Sequence, residues 1–135
     1  MASTITAGEP ERELLALNQR LLESILDADW QTYEELCDPS LSAFEPEGRG
    51  QLIEGMPFHR FYFDLGGAKG PKLVTMASPR VRMLGDDAAV ISYVRLVQKL
   101  DGNGSPVTLT TEETRIWQRT DGRWKHVHFH RSAPG

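Results

Sequence analysis

The spacing of apolar residues changes along the chain from a helical period to a strand period. From Pro10 to Leu26, leucines and isoleucine recur every three or four residues with acidic residues in the first turn, which predicts a long amphipathic helix over 10–28. After residue 71 apolar and polar residues alternate between Gly-Asp and Asp-Gly turn signals, which is typical of short-looped antiparallel strands. The pattern places four strands, at about 72–84, 88–100, 106–119 and 123–132.

Between these two regions the pattern predicts shorter elements. Asp29-Trp30 begins a second, short helix, and Asp38-Pro39 ends it because the residue before a proline disfavours helix. Residues 41–44 read as a short strand. Pro57 fits the first position of a third helix, which runs to about Leu65.

Helices that precede a meander of strands predict an α+β fold in which the long N-terminal helix packs on a curved antiparallel sheet. A chain of 135 residues is the size of one domain. We expect a disordered tail over residues 1–9, which lack periodicity, and a single domain over 10–135.

Composition and charge exclude several classes of protein. The formal net charge of −4 and the isoelectric point near 5.5 argue against a nucleic-acid partner. The apolar stretches are a few residues long, far short of the ~20 that cross a bilayer, so no membrane partner is expected. Residues 1–10 do not resemble a secretory signal, and the single cysteine, Cys37, has no internal disulfide partner; both observations favour the cytoplasm.

The candidate chemistry centres on three strand arginines, Arg95, Arg115 and Arg131. Each alternates with apolar residues and therefore points to the same face as they do, where a charge needs a partner. Two interpretations remain open. The partners are either glutamates and aspartates of the chain, forming internal ion pairs, or a bound carboxylate or phosphate in a cavity, which the planar guanidinium fits well.

The histidines give a weaker signal. His59 lies among aromatic residues of the third helix, where a histidine is more often a packed side chain than a catalyst. His126, His128 and His130 alternate along the last strand and are expected on one side, with Val127, Phe129 and Arg131 on the other. Same-side neighbours stand ~6.6–6.8 Å apart and cations surround them, so neither a metal site nor any cofactor is expected.

Several sequence blocks together resemble a known family, the association (hub) domain of calcium/calmodulin-dependent protein kinase II. The resemblance is ordered, nearly gap-free and covers about residues 11–132. The blocks are Cys37-Asp38-Pro39, Ala43-Phe44-Glu45-Pro46-Glu47, the run from Glu54 to Phe63, Tyr93-Val94-Arg95-Leu96, the run from Glu112 to Trp117, and the run from Val127 to Ser132.

This resemblance implies a cone-shaped fold of the nuclear transport factor 2 (cystatin-like) type and a free-standing hub-like domain without a kinase domain. Domains of this family dimerise through their sheets and form rings of about a dozen or more subunits. The resemblance also implies a pocket for small carboxylates such as gamma-hydroxybutyrate analogues. Its residues would be His59, Arg95, Arg115 and Arg131, and we add Tyr62 and Tyr93 as candidate ligand-binding residues.

The strand pattern supports self-association independently. Strand 88–100 is apolar on both sides, which predicts that the helices cover one side and a second subunit the other. The apolar residues on one side are Val90, Val94 and Leu96, and those on the other side are Ile91, Tyr93 and Val97.

We therefore expect a homo-oligomerising domain whose arginine-lined pocket binds a small organic anion. The alternative is a small-molecule enzyme, an isomerase, dehydratase or cyclase, that uses the same cavity. Such an enzyme needs a base and an oxyanion donor. His59 is the candidate base, although the sequence pairs it with no orienting acid. Glu113 is a poor one, because Arg115 on its own side of the strand would keep it ionised.

Overall fold

A six-stranded sheet and three helices make up the protein in a computed structural model, which describes residues 8–133. Residues 1–7, most of the predicted tail, lie outside the described residues. The helices are α1 (Glu9–Leu26), α2 (Trp30–Leu36) and α3 (Pro57–Asp64). The strands are β1 (Cys37–Phe44), β2 (Ile53–Glu54), β3 (Lys72–Met83), β4 (Ala88–Leu100), β5 (Pro106–Thr120) and β6 (Arg123–Ser132), with a short 3-10 turn at Pro46–Gly48.

The predicted α+β layout is confirmed, and the four long strands begin and end within one residue of their predicted bounds. Their strict alternation and glycine-containing turns explain this accuracy. The helices also lie where they are predicted. Asp29 begins α2 because its side chain accepts a hydrogen bond from the Thr32 backbone N–H at 3.2 Å, which satisfies a free donor of the first turn.

Two features of the sheet differ from the prediction. β1 begins at Cys37, four residues earlier than expected, directly where α2 ends. It pairs in parallel with β6, so the sheet is not wholly antiparallel; its strand order is β2-β1-β6-β5-β4-β3. Local pattern carries no signal for this pairing, because partners such as Ser42 and His128 are 86 residues apart.

The core lies between α1 and one face of the sheet. Leu14, Leu21 and Leu22 of α1 are buried in it together with Trp117 of β5. Trp117 Nε1 donates a hydrogen bond to Oδ1 of the buried Asn18 at 3.0 Å, which fixes α1 across the sheet. The face that packs on α1 is called the inner face below, and the opposite one the outer face. No helix of the described residues is long and apolar enough to cross a membrane.

Candidate functional site

The inner face carries a cavity of about 230 Å³ that contains most of the predicted site residues. We call it the polar cavity. Five of the six predicted residues line it: His59, Tyr62, Arg95, Arg115 and Arg131. Two glutamates, Glu45 and Glu47, lie there as well, and the remaining walls are Ile25, Tyr33, Phe63 and Phe129.

Tyr93, the sixth predicted residue, does not line this cavity. Its hydroxyl donates to Glu113 Oε1 at 2.6 Å and accepts from Arg115 Nε at 2.9 Å, so both functions of the hydroxyl are used within the fold. Burial is the main reason that the pKa of Tyr93 rises to about 12. Tyr93 supports the site from behind and is not placed to contact a ligand in the cavity.

Arg115 forms the floor of the polar cavity. Its side chain is fully buried, and Glu113 Oε1 accepts a hydrogen bond from Nε at 3.0 Å and forms an ion pair with Nη2, also at 3.0 Å. Its guanidinium carbon also lies 4.3 Å from the centre of the Phe129 ring, a cation–π contact. Burial opposes the charge of Arg115, but Glu113, Tyr93 and Tyr33 together outweigh burial and raise its pKa, so the floor arginine stays protonated.

His126 lies below this floor, on the inner face, although the alternation predicts it outside with His128 and His130. That part of the prediction is wrong because of a β-bulge. Ile116 pairs with His128 and Trp117 with His126, so Val127 has no opposite residue and the alternation reverses there. His128 and His130 lie on the outer face, and Phe129 and Arg131 on the inner face, as predicted.

The bulge brings His126 Nε2 to 3.4 Å from Arg115 Nη1, while its Nδ1 lies 3.4 Å from Cys37 Sγ. A guanidinium only donates, so Nε2 accepts and the proton of the neutral ring sits on Nδ1, facing the sulfur. Burial, followed by the charge of Arg115, holds the pKa of His126 well below its usual value. Burial also raises the pKa of the Cys37 thiol to about 12, which favours a packed side chain over a nucleophile.

Arg131 lies at the rim of the cavity and is held by two glutamates from the segment after β1. One of its terminal nitrogens contacts Glu45 Oε1 at 3.2 Å and also donates to Glu47 Oε1. Burial raises the pKa of Glu45 although Arg131 opposes the rise. Burial also raises the pKa of Glu47, but the hydrogen bond and the charge of Arg131, together with further hydrogen bonds, outweigh burial, so the pKa of Glu47 is lowered.

His59 lines the cavity, and its Nδ1 faces Glu45. Nδ1 lies 3.5 Å from Glu45 Oε2, longer than a good hydrogen bond, and the buried Nε2 has no hydrogen-bond partner within residues 8–133. Burial and the charge of Arg115 lower the pKa of His59 to about 4, so the ring is neutral near pH 7. The sequence predicts no acidic partner for His59, whereas in the structure Glu45 is its acidic neighbour.

Arg95 is the least satisfied of the three arginines. Its Nε lies 3.1 Å from Glu113 Oε2, yet this contact lacks the alignment of a hydrogen bond, and the buried Nε–H has no acceptor in the described part of the chain. Burial lowers the pKa of Arg95, and the charges of Arg115 and Arg131 lower it further, against the opposing effect of Glu113. An additional acceptor beside Arg95 would therefore be favourable.

The structure shows internal ion pairs for all three arginines, which is the first of the two interpretations that the sequence left open. Each arginine contacts a glutamate, Glu113 for Arg95 and Arg115, and Glu45 and Glu47 for Arg131, so they are not the unpaired charges that a pure anion site predicts. The same arginines nevertheless meet at one cavity. Glu45 and Glu47 follow β1, where the run Phe-Glu-Pro-Glu was the available signal. Across residues 8–133, no group of three His, Cys, Asp or Glu is arranged to hold a metal ion.

Comparison with known proteins gives a consistent result. Residues 10–135 match the family described as calcium/calmodulin dependent protein kinase II association domain. The chain is 48% identical over 125 residues to the delta subunit of calcium/calmodulin-dependent protein kinase type II from Oryctolagus cuniculus, covering 91% of this chain and 24% of that protein. The chain therefore spans about a quarter of the length of this relative.

Solved structures of the same kind are similar in fold. The association domain of the C. elegans kinase has 46% identity and a TM-score of 0.87, covering 93% of this chain and 96% of that one. The hub homology domain from Chlamydomonas reinhardtii has 50% identity and a TM-score of 0.86, with 93% and 99% covered. A nuclear transport factor 2-like protein from Salmonella enterica, at 23% identity, 96% and 94% covered and a TM-score of 0.76, shares the fold alone.

Proposed function

The chain belongs to the association-domain family of calcium/calmodulin-dependent protein kinase II, and from this premise we propose that it is a self-assembling hub-like domain whose polar cavity binds a small carboxylate. The two parts of this proposal rest on different surfaces. Self-assembly uses the outer face of the sheet, and anion binding uses the inner face.

The outer face of β4 and β5 supports self-assembly. Val90, Val94, Leu96 and Ile116 point outward and are only partly buried within one chain, while Ile91 and Tyr93 on the inner side are buried. A strand with two apolar faces is covered on both in a stable protein. A second copy of this chain is the cover that the family assignment favours.

Sedimentation tests this part directly. We expect species heavier than the 15.2 kDa chain at tens of micromolar, and Val94→Asp should shift them toward monomer by placing a charge in the contact. Leu84→Asp, at an exposed leucine beyond the end of β3, is the matched control and should leave the assembly unchanged. A wild-type chain that sediments as a monomer would contradict self-assembly.

Two unpartnered nitrogens support the anion. Arg95 Nε and His59 Nε2 are both buried without a hydrogen-bond partner among the described residues, and Arg131 lines the same cavity. A carboxylate can accept hydrogen bonds from Arg95 and Arg131 together. Because the carboxylate is charged, these hydrogen bonds are stronger than those that neutral water would accept. His59 is neutral and contributes no charge, and it would donate a hydrogen bond to the carboxylate in the tautomer that carries the proton on Nε2.

A thermal-shift series with small carboxylates tests the anion. Binding to the folded state alone stabilises it by ~2.7 kcal/mol at a hundredfold excess over the dissociation constant, so the melting temperature should rise with butyrate concentration. Arg95→Gln and Arg131→Gln should each weaken this response. If no carboxylate raises the melting temperature, or if both variants respond as the wild type does, the anion site is wrong.

One observation favours catalysis as a second candidate. Glu45 beside Nδ1 and an unpartnered Nε2 give His59 the arrangement of an oriented general base, and such contacts often tighten only when substrate binds. Its lowered pKa makes it a weak base, which limits it to acidic C–H bonds. The test follows the C2 proton signal of acetoacetate in D2O. If this signal is lost faster with the protein than in buffer alone, and more slowly with His59→Gln than with wild type, the result supports an enzyme. A rate equal to that of buffer would contradict it.

A further inference from the structure

A second cavity adjoins the polar cavity and differs from it in chemistry. It has a volume of about 310 Å³ and shares Ile25, Arg95 and Arg131 with its neighbour. We call it the apolar annex. The polar cavity alone is smaller than most small-molecule sites, which occupy about 300–1,000 Å³, whereas the two together fall within that range.

The lining of the annex is predominantly hydrophobic. Three of its apolar side chains come from α1 and three from β3, β4 and β5: Leu22, Ile25, Leu26, Val74, Val97 and Leu109. Apart from the two shared arginines, its polar side chains are Thr111 and Lys99. Water in such a space finds few partners, so displacing it with an apolar group is favourable. The cation Lys99 disfavours a positively charged occupant.

The wall opposite these strands is a loop of small residues that is fixed in place. Lys72 Nζ donates to the carbonyls of Ala68 and of Leu26, the latter at 3.3 Å, and pairs with Asp27 at 3.3 Å. At Gly67 a Cβ atom would lie 2.7 Å from the Leu26 carbonyl oxygen, so only glycine allows the loop to approach α1 this closely. The loop therefore presents no large side chain to the annex and is tied to the helix end.

On the basis of the anion binding proposed above, we propose that the ligand is an amphiphilic monocarboxylate, with its carboxylate between Arg95 and Arg131 and an uncharged apolar tail in the annex. The position of the two arginines carries this inference. They line both spaces, so a carboxylate that they hold has the polar cavity on one side and hydrophobic walls on the other. A short hydroxy acid would fill the polar cavity alone and leave the annex unused.

Titration calorimetry with straight-chain carboxylates tests the tail. The series is butyrate, hexanoate, octanoate and decanoate, each below the concentration at which it forms micelles. Burying one methylene contributes about 0.8 kcal/mol, so the affinity should rise about fourfold per methylene and level off once the annex is full. If the affinity is independent of chain length, the proposal that the tail lies in the annex is wrong, but carboxylate binding stands. Absence of binding by every member overturns both proposals.

Two matched variants locate the tail. Leu109 lines the annex and Leu73 lies outside it on β3, and both are about half exposed, at 50% and 55%, so a polar replacement should not unfold either one. Leu109→Gln should weaken octanoate about tenfold and change butyrate less than twofold, while Leu73→Gln changes neither. Arg95→Gln should weaken all lengths by the same factor. If Leu109→Gln and Leu73→Gln behave alike toward octanoate, the tail does not lie in the annex.

Discussion

The floor and the rim of the polar cavity are built from the same pair of residue types, with opposite consequences. At the floor Arg115 meets Glu113, and at the rim Arg131 meets Glu45 and Glu47. The floor pair is almost entirely buried, with side-chain exposures of 1% and 0%, whereas the Glu47 side chain is 37% exposed. Burial, more than the number of contacts, separates a structural ion pair from one that can exchange partners.

The neighbours of each pair strengthen this difference. Tyr93, Glu113 and His126 all contact the guanidinium of Arg115, and Phe129 covers one of its faces. Water cannot replace any of these partners without opening the core. At the rim, an incoming carboxylate can replace Glu47 on Arg131 while solvent takes up the released side chain. The floor is therefore fixed by the fold, whereas the rim with Arg95 is where we propose that a carboxylate binds.

The largest loss of unfolding free energy should come from removing the charge of the floor carboxylate, Glu113. Glu113→Gln keeps the shape but leaves Arg115 buried without a counter-charge, and breaking a buried pair in this way costs about 3–5 kcal/mol of unfolding free energy. Urea denaturation measures it. Glu34→Gln, at an exposed position of α2 away from both faces of the cavity strands, is the control and should stay within ~0.5 kcal/mol of wild type. A loss below 1 kcal/mol for Glu113→Gln would remove the distinction between floor and rim.

The next largest effect is on the pH dependence of stability, because the rim and the floor each contain a buried neutral histidine, His59 and His126 respectively. The pKa of His59 is lowered to about 4, so its contribution to stability is complete above pH 6.5 and is lost as the pH falls toward 4. Glu45, Glu47 and Arg115 are the charged groups that face it. Between pH 6.5 and 4.5 the loss should be roughly 2–3 kcal/mol from His59 alone.

Stability measured by urea denaturation between pH 7.5 and 4.5 tests this. His59→Gln should remove that share of the pH slope, and His126→Met a second share, because burial also lowers the pKa of His126. His130→Gln, at an exposed position on the outer face, should retain the wild-type slope. Equal slopes in all four proteins would show that neither buried histidine carries the acid sensitivity.

The difference between floor and rim also shows how far the sequence could predict the site. Alternation along β4 and β5 places Arg95 and Arg115 on the inner face, because neither strand is interrupted there. On β6 the bulge at Val127 reverses the alternation, so the same reasoning places Arg131 correctly and His126 on the wrong side. A bulge is set by the strands on either side of β6, and a single strand's pattern does not contain it.

The partners of the arginines were predictable only as a set of candidates. Glu113 shares its strand face with Arg115, so their pairing follows from local spacing. Glu45 and Glu47 reach Arg131 across the parallel β1–β6 pair, which joins segments more than 80 residues apart. The burial that separates floor from rim depends on how α1, α3 and the sheet close over each position. That property belongs to the assembled fold.

The smallest change in stability, and the clearest gain in binding, should come from the rim. Glu47→Gln weakens a partly exposed ion pair, which costs less than about 1 kcal/mol, and it removes a competitor for Arg131. Butyrate should therefore bind about three- to tenfold more tightly by calorimetry. Glu35→Gln disrupts the exposed pair with Arg20 away from the cavity and is the matched control, with a similarly small cost and no change in affinity. If Glu47→Gln instead lowers the affinity or destabilises the chain as strongly as Glu113→Gln, Glu47 is part of the structural framework, and the rim does not exchange its carboxylate for a ligand.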